Sequence, residues 1–452
     1  MSSKTLSILL LAQLVGGACA HADSPGPRPL GREIPAPLAS PEVLPSGTTV
    51  TEPVGDLTLR EVLSLVLLQN PGLKAFAFEV RAREAAVLQA GLLPNPHLGV
   101  VAENFGNNAL QGFDSTAITL QLSQLIELGG KRAARTEATQ LARDLAGWDY
   151  ERERIKVLTE TQRAYVDVLS AQRRTALSKQ VVALAEEVAA AAAKRVMAGK
   201  VSPVEETKVG VATASVRIEL TRAERELEAV RARLAATWGS TTAPRFKRAR
   251  GVIEAVLPIP TLEQLMERLR QSPELARWAT GLAERNAVVA VEEARAIPDL
   301  TASFGVRHFT EPGDDALVVG ISLPLPVFNR NQGAILEAQR RLAKAEEERR
   351  AMEVRMATAL SSAYQTLASA HAEITVLKAQ VLPGAQSAFE AASKGYRLGK
   401  FGLVDVLDAQ RTLFGAKAQY LRALTDYHQS VAQVEGLIGE RIDAVQTQKE
   451  SQ

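Results

Sequence analysis

The chain is written twice, and this constrains its fold more than any other feature of its 452 residues. Leu57 to Leu73 (LTLREVLSLVLLQNPGL) returns as Pro260 to Leu275 (PTLEQLMERLRQSPEL), and the register then holds. Pro71 with Pro273 and Pro96 with Pro298 are pairs 202 apart, while Gly199 with Gly399 and Gly239 with Gly439 are pairs 200 apart. A spacing kept within about two residues over four landmarks marks an internal duplication, and a unit of about 190 residues is far too long for a solenoid. The expected organisation is a signal peptide over 1–22, a proline-rich segment over 23–56, a first repeat over 57–250, a second over 251–440 and a tail over 441–452.

Inside each repeat the hydrophobic period changes twice, in the order helix, strand pair, long helix, shorter helix. Leu98, Val100 and Ala102 alternate with their neighbours, a glycine- and asparagine-rich turn follows, and Ile118, Leu120 and Leu122 alternate again. The second repeat gives the same pattern in Leu300 to Phe309, a turn at Thr310 to Asp315, and Val319, Ile321 and Leu323. These alternations predict strands at about 97–106, 116–124, 299–309 and 316–324. Each is about ten residues, the length that a tilted strand needs to cross an outer membrane. Four strands do not close a barrel alone, so they form either an edge-exposed sheet or a sheet pooled by several chains.

The helices extend the argument. From Lys131 to Ala198 no proline interrupts a helical pattern, and from Gln332 to Leu398 only Pro383 does. A run of roughly 65 residues is about 100 Å long, more than a compact domain buries. Leu360, Leu367, Ile374 and Val381 recur by sevens, as do Met356, Ala363, Ala370 and Leu377, which indicates coiled-coil packing. Aromatic residues are only 4% of the chain, which suits alanine-rich helices such as the stretch at Ala189 to Ala193 better than a globular core.

Lys4, the apolar run Leu6 to Val15 and the small residues around Ala18 to Ala22 form a secretory signal. Cys19, the one cysteine, excludes a disulfide framework and a cysteine-built metal site, and Gly17-Ala18-Cys19 leaves lipidation open beside simple cleavage. No other apolar run approaches the ~20 residues of a spanning helix. A formal net charge of +2 provides no field to gather nucleic acid. Catalysis has no foothold: Gly129-Gly130-Lys131 lacks the earlier glycine and the hydroxyl of a P-loop, and no nucleophile elbow, HExxH or dinucleotide fingerprint occurs. No cofactor is expected. The histidines His97, His308, His371 and His428 stand too far apart to chelate zinc. Met352 and Met356 are four apart, which suits copper(I) thioether ligands but suits a heptad core better. Charged runs such as Glu346 to Arg350 read as a solvated helix face with local ion pairs.

The signal peptide, the two repeats and the stretch Tyr396 to Ala409 (YRLGKFGLVDVLDA) resemble the TolC-type outer-membrane efflux family over nearly the whole mature chain. Ser123 to Arg135 (SQLIELGGKRAAR) and Ser322 to Gly333 (SLPLPVFNRNQG) resemble its heavy-metal branch, the CzcC-like and CusC-like channels. The resemblance implies a mainly α fold with a β-barrel part. Three chains would pool four strands each into a 12-stranded outer-membrane barrel, set in outer-membrane lipid and continued into the periplasm by a trimeric α-helical barrel. It implies a homotrimer that works with a periplasmic adaptor (a membrane fusion protein) and an inner-membrane RND transporter. The function implied is a passive duct for heavy-metal cations, cobalt, zinc and cadmium or copper and silver. A channel for organic drugs or type I secretion, and a periplasmic coiled-coil scaffold without a pore, are the alternatives.

Asp405 and Asp408, three apart on one helix face, match the family's constriction carboxylates, and threefold symmetry would gather six around one axis. The alternative is that two acids in the first turns of a helix complement its dipole. Tyr396 matches the family's gate-tethering residue, but Phe401 stands where a basic partner is usual. Glu205 and Lys208 occupy the equivalent positions of the first repeat, so only the second carries the acidic pair. The turns Val201-Ser202-Pro203 and Phe401-Gly402-Leu403 are expected at the periplasmic tips, with Val201, Phe401 and Leu403 exposed for adaptor docking or packed between neighbouring hairpins.

Overall fold

The computed structural model describes residues 52–106, 112–311 and 313–442. The signal segment, Cys19, most of the proline-rich segment and residues 443–452 of the tail lie outside the described residues.

The first half runs β1 (Gly55–Thr58), α1 (Leu59–Gln69), α2 (Pro71–Ala90), β2 (His97–Glu103), β3 (Ala117–Ile126), α3 (Lys131–Met197) and α4 (Pro203–Ala236). It closes with β4 (Phe246–Arg250), and the second half runs α5 (Leu262–Arg270), α6 (Pro273–Arg295), β5 (Leu300–Phe309), β6 (Asp314–Ser322), α7 (Gln332–Val376), a π-helical turn (Leu377–Val381), α8 (Leu382–Arg397) and α9 (Leu403–Ile438).

Matching local chemistry starts each half. Thr58 and Glu61 form a capping box on α1, and Thr261 and Gln264 form the same box on α5. Pro71 and Pro273 open the next helices, where a missing N–H costs nothing. The closing glycines pack on these prolines. Gly239 has φ +87° and Gly439 φ +74°, and a Cβ would come within 3.0 Å of Pro71 Cδ and 2.7 Å of Pro273 Cδ respectively. Each proline–glycine pair of the sequence is thus a contact that shuts the ends of its own half, which explains why both spacings persist.

Two cores follow from this arrangement. Val62, Val66, Leu73, Val168, Leu234, Trp238 and Phe246 cluster in the first half, and Leu265, Met356, Leu360, Leu367, Leu424 and Ile438 in the second. β1 and β4 pair in parallel and bring the two ends of the first half together. The Tyr165 hydroxyl donates to the Leu57 and Arg250 carbonyls at 2.8 and 2.6 Å, one on each strand's segment, and burial pushes its pKa up to about 12. α3, 67 residues and about 100 Å long, packs along α2, α4, α6 and α9.

α7 shows where the heptad reading holds and where it breaks. Leu360, Leu367 and Ile374 are buried, but Val381 is 38% exposed. The cause is the π-helical turn at Leu377–Val381. Pro383 offers no N–H and crowds the carbonyl four residues back, and a widened turn makes room for its ring. One extra residue enters the turn, so the buried stripe Ala363, Ala370, Leu377 resumes at Ala385 and Ala392 rather than one residue earlier. Met356 lies in the second core with Met352 packed beside it.

β2, β3, β5 and β6 form one antiparallel sheet in that order. The first strand stops at Glu103 because Asn104 takes φ 61°, and the last stops at Ser322, before Pro324 removes a ladder donor. β2 and β6 are its edges.

Candidate functional site

Two hairpin tips lie at the helix ends remote from the sheet. α3 turns into α4, and α8 into α9, through segments with the same hydrogen bonds: Lys200 N–H donates to the Arg195 carbonyl at 2.9 Å, and Lys400 N–H to the Gly395 carbonyl at 2.8 Å. Ser202 caps α4, its Oγ accepting from Val204 N–H. Gly402 has no side chain for that task, and Asp405 reaches back instead, its Oδ2 accepting from Gly402 N–H at 2.8 Å. Asp408, one turn on, pairs with Arg411 at 2.8 Å, both side chains largely exposed. Within the chain the acidic pair therefore caps α9 and meets an arginine, while both carboxylates remain on an exposed face.

Tyr396 is buried, with the Arg195 guanidinium 4.5 Å from its ring centroid. Its hydroxyl has no hydrogen-bond partner among the described residues, and neither have Arg195 Nη1 and the Glu205 Oε2 of the other hairpin. Phe401 packs its ring against Gly395, where a Cβ would overlap it. The residue in the usual basic position thus makes an apolar contact across its own turn. Of the two readings open for Leu403, exposure or packing between hairpins, the chain takes packing: it is 4% exposed, in a cluster with Val188, Ala192, Val209, Tyr396 and Val406. As first residue of α9 it faces the α3–α4 hairpin, not the turn's outer surface. Val201 is half-buried, and Ser202, Pro203 and Gly402 are exposed beside Phe401. Above the tips a largely apolar groove of about 660 Å³ runs between the hairpins, lined by Val181, Ala185, Val216, Leu407 and Phe414.

The sheet has two chemically distinct faces. Register places Leu98 with Leu122, Val100 with Leu120, Leu122 with Phe304, Leu120 with Val306, Phe304 with Val319 and Val306 with Leu317. All these side chains are exposed, so the apolar face of the sheet covers no core. The opposite face carries Gly99, Glu103, Thr119, Gln121, Ser123, Ser303, Gly305 and Arg307.

Ion pairs fix the junction of strands and long helices, and sequence reasoning missed them. Arg135 pairs with Glu127 at 2.7 Å and donates to the Ala90 carbonyl at 2.9 Å, bracing α3 against the end of β3 and the end of α2. Lys131 pairs with Asp299 at 2.6 Å, tying the start of α3 to the residue before β5. In the second half Asn331 Nδ2 donates to the Glu292 carbonyl and carboxylate at 2.8 and 2.9 Å. The signal was present in the charges flanking Gly129-Gly130, which read as a family marker without a structural role.

The histidines are dispersed. His308 Nδ1 lies 2.9 Å from Asp315, the His371 ring is tilted against that of Tyr427 with centroids 6.1 Å apart, and His428 Nε2 lies 2.8 Å from the Ile253 carbonyl. Among the described residues no three His, Cys, Asp or Glu side chains gather as a metal site. No helix is long and apolar enough to cross a membrane among those residues either.

The profile of outer membrane efflux proteins matches residues 62–240 and 265–440. The chain belongs to this family. It is a protein of the cell outer membrane with a periplasmic extension, in a family of passive channels and not of enzymes. It is 38% identical to the cobalt-zinc-cadmium resistance protein CzcC of Cupriavidus metallidurans, over 86% of this chain and 91% of that protein. It is 29% identical to the nickel and cobalt resistance protein CnrC of the same organism, over 68% of this chain and 73% of that one. Crystal structures of the channel CusC share its fold, with a TM-score of 0.70 at 17% identity over 84% of this chain and 92% of that one.

Proposed function

We propose that this chain is the outer-membrane channel of an RND-type tripartite pump that exports heavy-metal cations. The observation that carries the channel reading is the sheet: four strands with an uncovered apolar face, a polar opposite face and two free edges. In lipid every backbone N–H and C=O must be paired, so free edges call for neighbours. Three copies joined β6 to β2 would close twelve strands, with the apolar face toward lipid and the polar face toward water. The two repeats, 57–250 and 251–440, would each contribute one hairpin to that barrel, and the long helices would continue it as a periplasmic tube. A pore-free periplasmic scaffold leaves the apolar face without a purpose.

The likeness to CzcC over most of both chains supports metal cations as cargo. The chain itself has no metal cluster among the described residues, so selection of the ion falls to a transporter and adaptor. Asp405 and Asp408, repeated by threefold symmetry, would ring the periplasmic constriction and favour cations there. Tyr396 would hold the closed tip. The docking surface for the adaptor would be the half-buried Val201 with the exposed Ser202-Pro203 and Phe401-Gly402, with Leu403 supporting them from inside.

The test is growth of a deletion strain, with and without the plasmid-borne gene, across zinc, cobalt, cadmium, copper, silver and a panel of organic drugs. Metal hypersensitivity cured by the plasmid is expected. Sensitivity to drugs alone discards the metal cargo and keeps the channel.

A further inference from the structure

The polar face of the sheet carries one charge pair at its turn end. Read along the register among the described residues, its ionisable side chains are His97 at the helix end, Glu103 and Asp314 in one row at the turn end, and Arg307 two residues further in. The rest are small or uncharged, such as Gly99, Ala117, Ser303 and Gly305. Arg307 lies directly across from Thr119 and donates to its Oγ1 through Nε at 2.9 Å. Its Nη2 reaches past β3 to Glu103 on β2, 2.8 Å away. One arginine therefore spans three strands. Its side chain is 33% exposed and that of Glu103 45%, so both touch solvent while each holds the other.

We infer that the Arg307–Glu103 pair sets the ion selectivity of the barrel near its outer mouth, by cancelling a carboxylate that would otherwise bind exported cations there. This rests on the channel reading above. Threefold symmetry turns one pair into a ring of three locked, charge-neutral pairs. Charged rings decide selectivity in pores, carboxylates for cations and guanidinium groups for anions, and conduction requires that the ion leave as readily as it enters. At the tip, acids favour entry of a cation. At the exit Asp314 already brings one carboxylate per chain in the row of Glu103, a second bare set would hold a divalent ion back, and the arginine prevents it.

The experiment is planar-bilayer recording of the purified full-length protein in a potassium chloride gradient at low salt, with zinc chloride then added on the side of the sheet's turns. Wild type, Arg307→Gln, Glu103→Gln and the double variant are compared. Arg307→Gln is expected to raise the cation-to-anion permeability ratio by about twofold or more and to strengthen zinc block, because it frees a second ring of carboxylates beside that of Asp314. Glu103→Gln is expected to shift the ratio toward anions, and the double variant to return close to wild type. These shifts shrink at about 1 M salt, where the screening length falls to ~3 Å. Wild-type-like selectivity in both single variants overturns the inference and leaves the channel reading standing. Wild-type protein that forms no pores overturns both.

Discussion

Tyr396 is held by its ring and not by its hydroxyl. The Arg195 guanidinium covers it from the first repeat, and the hydroxyl has no partner among the described residues. Tyr396→Phe should therefore leave thermal unfolding of the helical signal unchanged, while Arg195→Ala should lower stability by about 1 kcal/mol, the scale of a cation–π contact at a half-desolvated site. Equal losses in both variants would return the role to the hydroxyl. The family motif made Tyr396 legible, but Arg195 was invisible, because no spacing along one repeat points to a residue in the other. Leu403 stayed open between docking and packing because a turn sequence does not show which way the first residue of the next helix faces. His428 brings a pH dependence. Burial holds its imidazole below the ordinary 6.5, with the Ile253 carbonyl and Glu254 opposing more weakly. Below that ordinary value the unfolded chain takes up a proton that the folded chain refuses, so stability is lost as pH falls from 6.5 toward the lowered folded pKa. His428→Gln should flatten the difference between melts recorded at about pH 7.5 and about pH 5.5; an equally steep difference assigns the sensitivity to other groups.

At the scale of elements, proline and π-turn act together. The heptad was legible as far as Ile374, and the slip beyond it was not, because periodicity counting assumes one helix type throughout. Pro383 was visible as an interruption, but whether a helix kinks, ends or widens there depends on packing on both sides. Ala385 and Ala392 are buried only in the shifted register. Hydrogen exchange should find the amides of the Leu377–Val381 turn less protected than those of α7, and Pro383→Ala should raise that protection by restoring a donor. Uniform protection through the turn in the wild type would contradict the widened geometry. The junction of β3 and α3 makes a similar case. Glu127→Ala would leave Arg135, braced against two carbonyls, without its charge partner, and should cost on the order of 1–3 kcal/mol in thermal or denaturant unfolding.

For the whole molecule, two faces of one sheet predict opposite tolerances. Leu120→Arg places a charge on the uncovered apolar face and should cost roughly 2–4 kcal/mol of membrane stability, seen as loss of protein from the outer-membrane fraction. Gln121→Arg, one residue on, faces the other way and should assemble normally. Similar yields for both would mean that neither face meets lipid. The duplication, the strand pairs and the long helices were legible because each is a period or a repeat, written in the order of the residues. The three-strand arginine bridge and the junction ion pairs were not, since they join segments that only the folded register brings together. The sheet's two free edges also bear on heredity. A single copy in hydrocarbon would expose unpaired peptide groups along β2 and β6, so under the proposed twelve-stranded closure insertion and association of the chains would be one event. A defective allele expressed beside a sound one would then spoil mixed assemblies rather than merely fall idle, and resistance would be lost in a dominant manner.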